Sequence, residues 1–238
     1  MVAGAATVDL SGWTENGFKG NNGAGTWTVQ GADNDTVFQS INGLPTVFFE
    51  PGANDRGKAL TGTITVETTS DDDFVGFVLG YQDGELGSTN ADFWLIDWKQ
   101  ATQSYAGIAP AGLALSHVTG DLTGSGEVDF WSHTGVVEEV LRATTYGNVG
   151  YVDNQTYTFD LEFTSSLIAV SVNGETVLSY AGSFENGSFG FYNYSQQNVR
   201  YAGITEDVAP SAVPVPASLP LILAGLGSFA LVRRNRRK

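Results

Sequence analysis

Hydrophobic and polar residues alternate along much of this chain with a period of two. In YTFDLEF, residues 157–163, the apolar side chains of Tyr157, Phe159, Leu161 and Phe163 fall on one side. This alternation is typical of a half-buried β-strand, because successive side chains point to opposite faces of a sheet. The same reasoning predicts strands in TWTV (26–29), LTGTITVETT (60–69), FWLIDWKQ (93–100) and SFGFYNYS (188–195).

The segment LIAVSVNGETVLSY, residues 167–180, predicts a β-hairpin. Two alternating runs flank Asn173-Gly174, the pair that best suits a type I′ turn. Helical periodicity is scarce. Residues 136–144 fit either a short helix or a strand, and we favour a strand or turn. No repeat of 20–50 residues is present, which argues against a propeller or solenoid. The pattern therefore predicts an all-β fold, an antiparallel two-sheet jelly-roll sandwich.

The composition fits that fold. Of 238 residues, 42% are hydrophobic and 12% aromatic, enough for a sizeable core. The 30 glycines suit many turns. There is no cysteine, which excludes disulfides and thiolate metal sites. His117 and His133 are too few for a histidine metal cluster, and we interpret both as loop residues.

Charge is distributed very unevenly. The formal net charge is −15, and five of the 11 basic residues lie in positions 233–238. Residues 1–232 therefore hold six basic and all 26 acidic residues, a formal charge of −20. Such a body repels nucleic acid, and we expect no nucleic-acid partner. It attracts Ca²⁺, which prefers oxygen ligands.

The two ends differ in composition from the body. Residues 1–6 are interpreted as a remnant of a signal peptide or a flexible end, residues 7–206 as the sandwich and residues 207–218 as a linker. Residues 219–232 are apolar, and 14 residues of helix reach about 21 Å. Because a hydrocarbon core is about 30 Å thick, this is a short transmembrane helix. The basic end, residues 233–238, should stay cytoplasmic, with the body outside.

This tail resembles the PEP-CTERM family of sorting signals, close to its Val-Pro-Leu-Pro-Ala variant. The motif, Val213-Pro214-Val215-Pro216-Ala217, has Val215 in place of the leucine. The resemblance implies transient anchoring in the inner membrane and processing by an exosortase-type transpeptidase. It also implies display at the bacterial surface or in the extracellular matrix. A plain membrane anchor is the alternative, and it too places the body outside the cytoplasm.

Four segments of the body resemble the thrombospondin C-terminal domain, an L-type lectin-like domain. They are GTITVETTSDDDFVGFVLGYQ (62–82), FWLIDWKQATQSY (93–105), FWSHTG (130–135) and GSFGFYNYSQQNV (187–199). The match runs from about Gly57 to Ile204. It implies a concanavalin-like jelly roll that is extracellular, binds calcium and serves adhesion. Asp-rich calcium repeats are absent upstream, so the resemblance does not transfer the receptors of thrombospondins.

The consecutive acids Asp71, Asp72 and Asp73 precede an apolar run. We expect them to line a turn and to share a Ca²⁺, which would cancel their mutual repulsion. In a strand all three side chains cannot face one ion, whereas in a turn two of them can. The alternative is a solvated acidic turn that protects a strand end from pairing with other chains. Asp83, Glu85, Asp92 and Asp97 are weaker oxygen donors nearby.

Catalysis is not expected. GEVDF, residues 126–130, resembles the start of a Glu-x-Asp-x-x-Glu strand of glycoside hydrolases built on this sandwich, but Trp131 or Ser132 replaces the second glutamate. We therefore predict a non-enzymatic, calcium-binding lectin-like module for cell adhesion or matrix interaction, whose partner is an extracellular glycan or matrix protein. A carbohydrate-binding module with a specific glycan site is the alternative, and a glycoside hydrolase is a weaker one.

Overall fold

Strands dominate the computed structural model, which describes residues 5–21, 23–105, 107–124 and 126–209. The first nine are β1 (Ala6–Thr7), β2 (Thr14–Gly17), β3 (Trp27–Gln30), β4 (Thr36–Gln39), β5 (Thr46–Phe49), β6 (Lys58–Val66), β7 (Phe74–Tyr81), β8 (Ala91–Lys99) and β9 (Gln103–Ser104). The rest are β10 (Ile108–Ala109), β11 (Gly112–Gly120), β12 (Val137–Arg142), β13 (Thr156–Phe163), β14 (Leu167–Val172), β15 (Glu175–Ala181), β16 (Ser188–Tyr194) and β17 (Val199–Val208).

The strands form two large antiparallel sheets. The first has the order β15-β14-β13-β6-β17-β4-β3, with β1 also paired to β17. The second has the order β12-β11-β8-β7-β16-β5-β2, and β9 pairs with β10 as a separate hairpin. The prediction of an all-β antiparallel two-sheet sandwich is confirmed.

Helices are short. An α-helix, α1, spans Val128–Ser132, and 3₁₀ turns span Leu10–Gly12, Phe18–Gly20 and Glu85–Gly87. In the part of the chain that the structure describes, no helix is long and apolar enough to cross a membrane. The predicted helix at 219–232 and the sorting motif Val213–Ala217 lie outside the described residues.

The predicted hairpin is present as β14 and β15. Asn173 and Gly174 both have positive φ, 52° and 81°, as a type I′ turn requires. Residues 136–144 contain β12, in agreement with the strand interpretation. The loop interpretation of His117 was wrong, because this residue lies in the middle of β11 and pairs with Trp94 of β8. Its side chain stacks on that indole with ring centroids 4.3 Å apart.

Apolar residues are buried on both faces of the second sheet. One core lies between the sheets, and the other lies on the outer face of the second sheet, beneath α1 and the 3₁₀ turns Phe18–Gly20 and Glu85–Gly87. Every residue of β7 is buried. That double burial explains why Phe74–Tyr81 is a continuous apolar run rather than an alternating one.

Two of the links that carry the chain from the first sheet to the second meet at one end of the sandwich. These are residues 40–45 between β4 and β5 and residues 67–73 between β6 and β7. One of the links that return to the first sheet, residues 195–198 between β16 and β17, adjoins them. Loops clustered at one end of a rigid sandwich are a common location for binding sites.

Candidate metal centre and adjoining cavity

The three aspartates lie in the link between β6 and β7, outside either strand. Because the chain crosses between the sheets here, its backbone does not alternate as a strand would. Asp71, Asp72 and Asp73 each contribute a carboxylate oxygen to a group whose members lie within 4.8 Å of one another. All three side chains therefore come together, where a simple turn was expected to gather two.

Two of these carboxylates accept hydrogen bonds from side-chain amides of neighbouring loops. Asn42, from the link between β4 and β5, donates to Asp71, and Gln103 of β9 donates to Asp72. Burial, and then repulsion from the Asp73 carboxylate, raise the pKa of Asp71 to about 6. The cluster thus retains negative charge that its neighbours do not fully compensate.

Asp73 is held by a buried lysine. The Lys99 ammonium at the end of β8 bonds to the Asp73 carboxylate, and the lysine side chain is fully buried. It also donates to Oε1 of Gln103 at 2.7 Å and to the backbone oxygen of Asp72 at 3.3 Å. The ammonium lies 4.5 Å from the ring centroid of Trp131 and 4.9 Å from that of Phe74. These contacts compensate for the loss of hydration of a buried cation.

The backbone of the triplet is anchored from behind. Oε1 of the fully buried Gln196 accepts the backbone N–H of Asp73 at 2.9 Å. The Tyr151 hydroxyl lies 2.8 Å from the carbonyl oxygen of Asp73 and 2.7 Å from the same Gln196 oxygen. Side chains from two distant parts of the chain therefore fix the backbone of this link.

The donor set fits a calcium ion. Two oxygens that bind one Ca²⁺ at 2.3–2.6 Å lie at most about 5 Å apart, and the carboxylate oxygens meet that limit. Three carboxylates against one ammonium leave a formal surplus of two negative charges. An open polar recess of about 420 Å³, lined by Thr69, Ser70, Asp71, Asp72, Gln100 and Gln103, gives access to the cluster.

The weaker donors named from the sequence lie elsewhere. Asp97 is buried and its Oδ2 lies 3.0 Å from Nε2 of His133. Glu85 accepts the backbone N–H groups of Gln82 and Asp92, and burial raises its pKa to about 7. Asp92 lies beside His117. Asp83 is not among the carboxylates that gather with the triplet.

A cavity of about 630 Å³ adjoins the cluster on the side of Asp73, within the range of about 300–1,000 Å³ typical of ligand sites. It lies between the sheet-crossing links, the β9–β10 hairpin and the start of α1. Its lining residues are Asn42, Gly43, Leu44, Asp73, Gln103, Ser104, Tyr105, Glu127, Trp131, Tyr194 and Ser195.

Aromatic rings form much of the cavity wall. Trp131 of α1 is only 6% exposed, whereas Tyr105 on the hairpin is 73% exposed. Their rings meet edge to face, with centroids 5.7 Å apart. Tyr194 at the end of β16 packs edge to face on Trp131 at 5.9 Å. Burial, and then the carboxylates of Glu127 and Asp73, raise the pKa of Tyr194, so its hydroxyl is protonated at neutral pH.

The segment that resembled a hydrolase strand is helical. Glu127 precedes α1, and Asp129 lies within it, so the two carboxylates do not share one face of a strand. Asp129 accepts the backbone N–H of Val136 at 3.4 Å and thereby supports the turn after the helix. Glu127 alone of the pair lines the cavity.

Sequence reasoning missed several residues of this site, above all Lys99, Asn42, Tyr194 and Gln196. Lys99, Gln103 and Tyr105 belong to the segment FWLIDWKQATQSY (93–105) that supports the family resemblance, so a signal for them was present. A lone lysine at the end of an apolar strand was a second signal. Asn42 has no such local signal, since only the fold brings it to Asp71.

The fold defines a class, the two-sheet jelly-roll sandwiches of concanavalin-like type. Among solved structures, the carbohydrate-binding module CBM66 from Bacillus subtilis is similar in fold, with a TM-score of 0.54 at 11% identity over 82% of this chain and 95% of that one. Residues 23–208 match the model of the thrombospondin C-terminal region. The chain belongs to this family, and the match begins well before Gly57, where the sequence resemblance started.

Curated relatives agree with that assignment. Thrombospondin-2 of Bos taurus is 30% identical over 199 residues, which cover 75% of this chain and 16% of that protein. Human cartilage oligomeric matrix protein is 29% identical over 168 residues, which cover 63% of this chain and 21% of that protein. The chain thus spans about a fifth or less of these relatives. Residues 212–238 match the PEP-CTERM protein-sorting motif, the mark of exported, surface-sorted proteins.

Proposed function

We propose that this chain is a calcium-binding, non-enzymatic lectin-like module that is sorted to the bacterial surface. There it serves adhesion or interaction with the extracellular matrix through a glycan or a matrix protein. The observation that carries the proposal is the convergence of Asp71, Asp72 and Asp73, whose carboxylate oxygens lie within 4.8 Å of one another. The family's calcium binding and the adjoining cavity support it.

Asp71, Asp72 and Asp73 would hold the Ca²⁺. The ion would supply positive charge that cancels the repulsion between these carboxylates. Asn42 and Gln103 orient the Asp71 and Asp72 side chains, while Gln196 fixes the backbone of Asp73. Because Asp73 and Gln103 also line the cavity, the same residues that would bind the ion shape the neighbouring surface.

A non-enzymatic function is favoured by the form of the segment at 126–130. Retaining hydrolases need two carboxylates about 5–5.5 Å apart. The glycoside hydrolases that this segment resembles take both from one strand. Here α1 replaces that strand, and Asp129 supports a turn. The carbohydrate-binding module that shares the fold offers the closest alternative, a module with a specific glycan site.

The tail supports surface display. Val213–Ala217 would be the site at which an exosortase-type transpeptidase acts, residues 219–232 would anchor the chain transiently in the inner membrane, and residues 233–238 would stay cytoplasmic. The formal charge of −20 over residues 1–232 argues against a nucleic-acid partner.

One experiment tests function and sorting together. The full chain is expressed in an exosortase-containing bacterium, and cell adhesion to purified extracellular matrix is measured with calcium or with EGTA. We expect EGTA to abolish adhesion, Asp71→Asn/Asp72→Asn to mimic EGTA, and the intact mass of the surface protein to lack residues 233–238.

The matched control is Asp33→Asn/Glu185→Gln, which removes the same charge at exposed positions away from the cluster. It should adhere like the wild type. Adhesion that persists in EGTA would refute the calcium-dependent function, and a surface protein whose mass retains the basic end would refute processing of the tail.

A further inference from the structure

We propose that the 630 Å³ cavity binds a sugar unit that carries no acidic group, that is, a neutral hexose or an amino sugar. The inference rests on the proposed function and deepens it, because it selects a glycan over a matrix protein and names its charge class. Three features of the cavity carry it: an exposed aromatic rim, an indole ring in the wall, and a lining whose described residues include carboxylates but no cationic side chain.

The rim is a tyrosine that the fold leaves in solvent. Tyr105 is 73% exposed although it is a large aromatic residue on the wall of a concave site. Its edge-to-face contact with Trp131 holds the two rings at a steep angle, with 70° between their planes. An aromatic face suits the apolar C–H face of a sugar ring, and Tyr adds a polar group at its edge. A sugar seated here would bury apolar surface that now faces water.

The ring of Trp131 lies in the wall of the cavity. The side chain is 6% exposed and lines the cavity, whereas its Nε1 is buried and has no hydrogen-bond partner among the described residues. The ring therefore contributes apolar surface to the wall rather than a free N–H group. Apolar aromatic surface suits the C–H face of a sugar ring.

The charge of the lining residues determines which sugars the cavity can bind. Of the described residues that line the cavity, none is Lys, Arg or His, whereas Asp73 and Glu127 are carboxylic acids. The Lys99 ammonium beneath the wall is buried and already bonded to Asp73, Gln103 and the backbone of Asp72. Because Lys99 and a bound Ca²⁺ would compensate the charge of Asp73, the charge that decides is that of Glu127. Its carboxylate accepts hydrogen bonds from sugar hydroxyls and attracts an ammonium, but it repels the carboxylate of a uronic acid or a sulfate.

The side chains at the base of the cavity are preorganised. Lys99 links Asp73 to the ring of Trp131, and Tyr194 packs on that ring. Binding therefore orders few side chains, which favours affinity for a small ligand.

Biolayer interferometry on the full-length chain in calcium buffer tests the inference. The probes are hexamers of glucose, mannose, galactose and glucosamine, and a hexamer of galacturonic acid. We expect at least one neutral or amino-sugar hexamer to bind, and the acidic hexamer to bind at least about ten-fold more weakly. Tyr105→Ala should weaken binding about ten-fold by removing the stacking face.

Two variants sharpen the result. Ile108→Ala is the matched control, because Ile108 lies on the same hairpin, is 66% exposed and is not among the lining residues. It should bind like the wild type. Glu127→Gln should narrow the gap between acidic and neutral hexamers, since it removes a negative charge from the lining.

Equal affinity for the galacturonic acid hexamer, or no binding by any probe up to about 10 mM, would overturn the inference. An equal effect of Tyr105→Ala and Ile108→Ala would overturn it as well. The calcium proposal fails separately: a chain that takes up Ca²⁺ but no sugar refutes only the sugar site, and one that binds sugar without taking up Ca²⁺ refutes only the metal centre.

Discussion

Lys99 places an ammonium group inside the protein, within bonding distance of the Asp73 carboxylate. Two buried charges lose hydration, and their attraction restores that loss only when further hydrogen bonds satisfy them. Gln103 and the backbone oxygen of Asp72 provide those bonds for the lysine. The pair therefore stabilises the site only as a complete unit.

Replacement of Lys99 tests whether the pair stabilises the site only when both charges are present. Lys99→Met leaves Asp73 as an unpaired buried carboxylate, and we expect the free energy of unfolding to fall by about 3–5 kcal/mol. Urea unfolding in EGTA measures it, since a bound metal ion would otherwise compensate for the missing charge. The double variant Lys99→Met/Asp73→Asn should recover much of the loss.

A partly exposed ion pair provides the control. Glu67→Gln breaks the pair with Arg200, in which both side chains are about one third exposed, and should cost at most about 1 kcal/mol. A loss of that small size in Lys99→Met would contradict the role given to the buried pair.

The sequence predicted the acidic half of this unit but not its basic half. Three adjacent aspartates before an apolar run are visible as a local pattern, whereas the pairing of Asp73 with Lys99 spans 26 positions. Only the register of β7 against β8, which sets Phe74 opposite Lys99, brings the two residues together. Local pattern reveals residue type and turn chemistry, but it does not reveal partners across a sheet.

At the scale of elements, α1 is tied to the second sheet by His133. This residue follows the helix and has a positive φ of 49°. Its Nε2 lies 3.0 Å from Asp97 of β8, and its Nδ1 lies 3.1 Å from Glu139 of β12. Two carboxylate partners require a proton on each ring nitrogen, so the bound form is the imidazolium. The sequence interpretation of His133 as an ordinary loop residue missed this buried role.

This arrangement predicts a pH-dependent stability. Burial alone lowers the pKa of His133, but Asp97 and Glu139 outweigh that effect and raise the pKa to about 9 from the ordinary 6.5. The contribution is therefore fully present below pH 6.5 and is lost as pH rises through 9. Arg142 also bonds Glu139 through Nη2, at 2.7 Å.

We expect the free energy of unfolding to fall by up to about 3 kcal/mol across that window. Urea denaturation at a series of pH values measures it, and His133→Gln should flatten this part of the profile. His117→Gln serves as the control, because His117 is half-buried beside the exposed Asp92. In this variant the free energy of unfolding should fall with pH as it does in the wild type. If the free energy of unfolding of the wild type stays constant between pH 6.5 and pH 9, the role given to His133 is contradicted.

Elements with a clear period were the easiest to predict. The strands β6, β8, β13 and β16 and the β14–β15 hairpin follow directly from alternation and from Asn173-Gly174. The helix α1 was missed because five residues are too few to display a helical period. Its two buried aromatic residues, Phe130 and Trp131, read equally well as part of a strand.

At the scale of the whole molecule, the sandwich brings three sheet-crossing links together with the β9–β10 hairpin and α1. The acidic cluster and the cavity are products of that convergence, since their residues come from positions 42 to 195. The sequence predicted the class of fold and a calcium site on Asp71–Asp73. It did not predict the cavity, because no local pattern indicates which loops of a sandwich meet.

Calcium uptake at the triplet is the central claim, and isothermal titration calorimetry of the full-length chain tests it most directly. The account predicts saturable Ca²⁺ binding with a dissociation constant of about 10⁻⁴–10⁻³ M, typical of extracellular modules. Asp71→Asn/Asp72→Asn should abolish it, while Asp33→Asn/Glu185→Gln retains it. A wild type that takes up no Ca²⁺ at millimolar concentrations, or a cluster variant that binds as well as the wild type, would contradict the account.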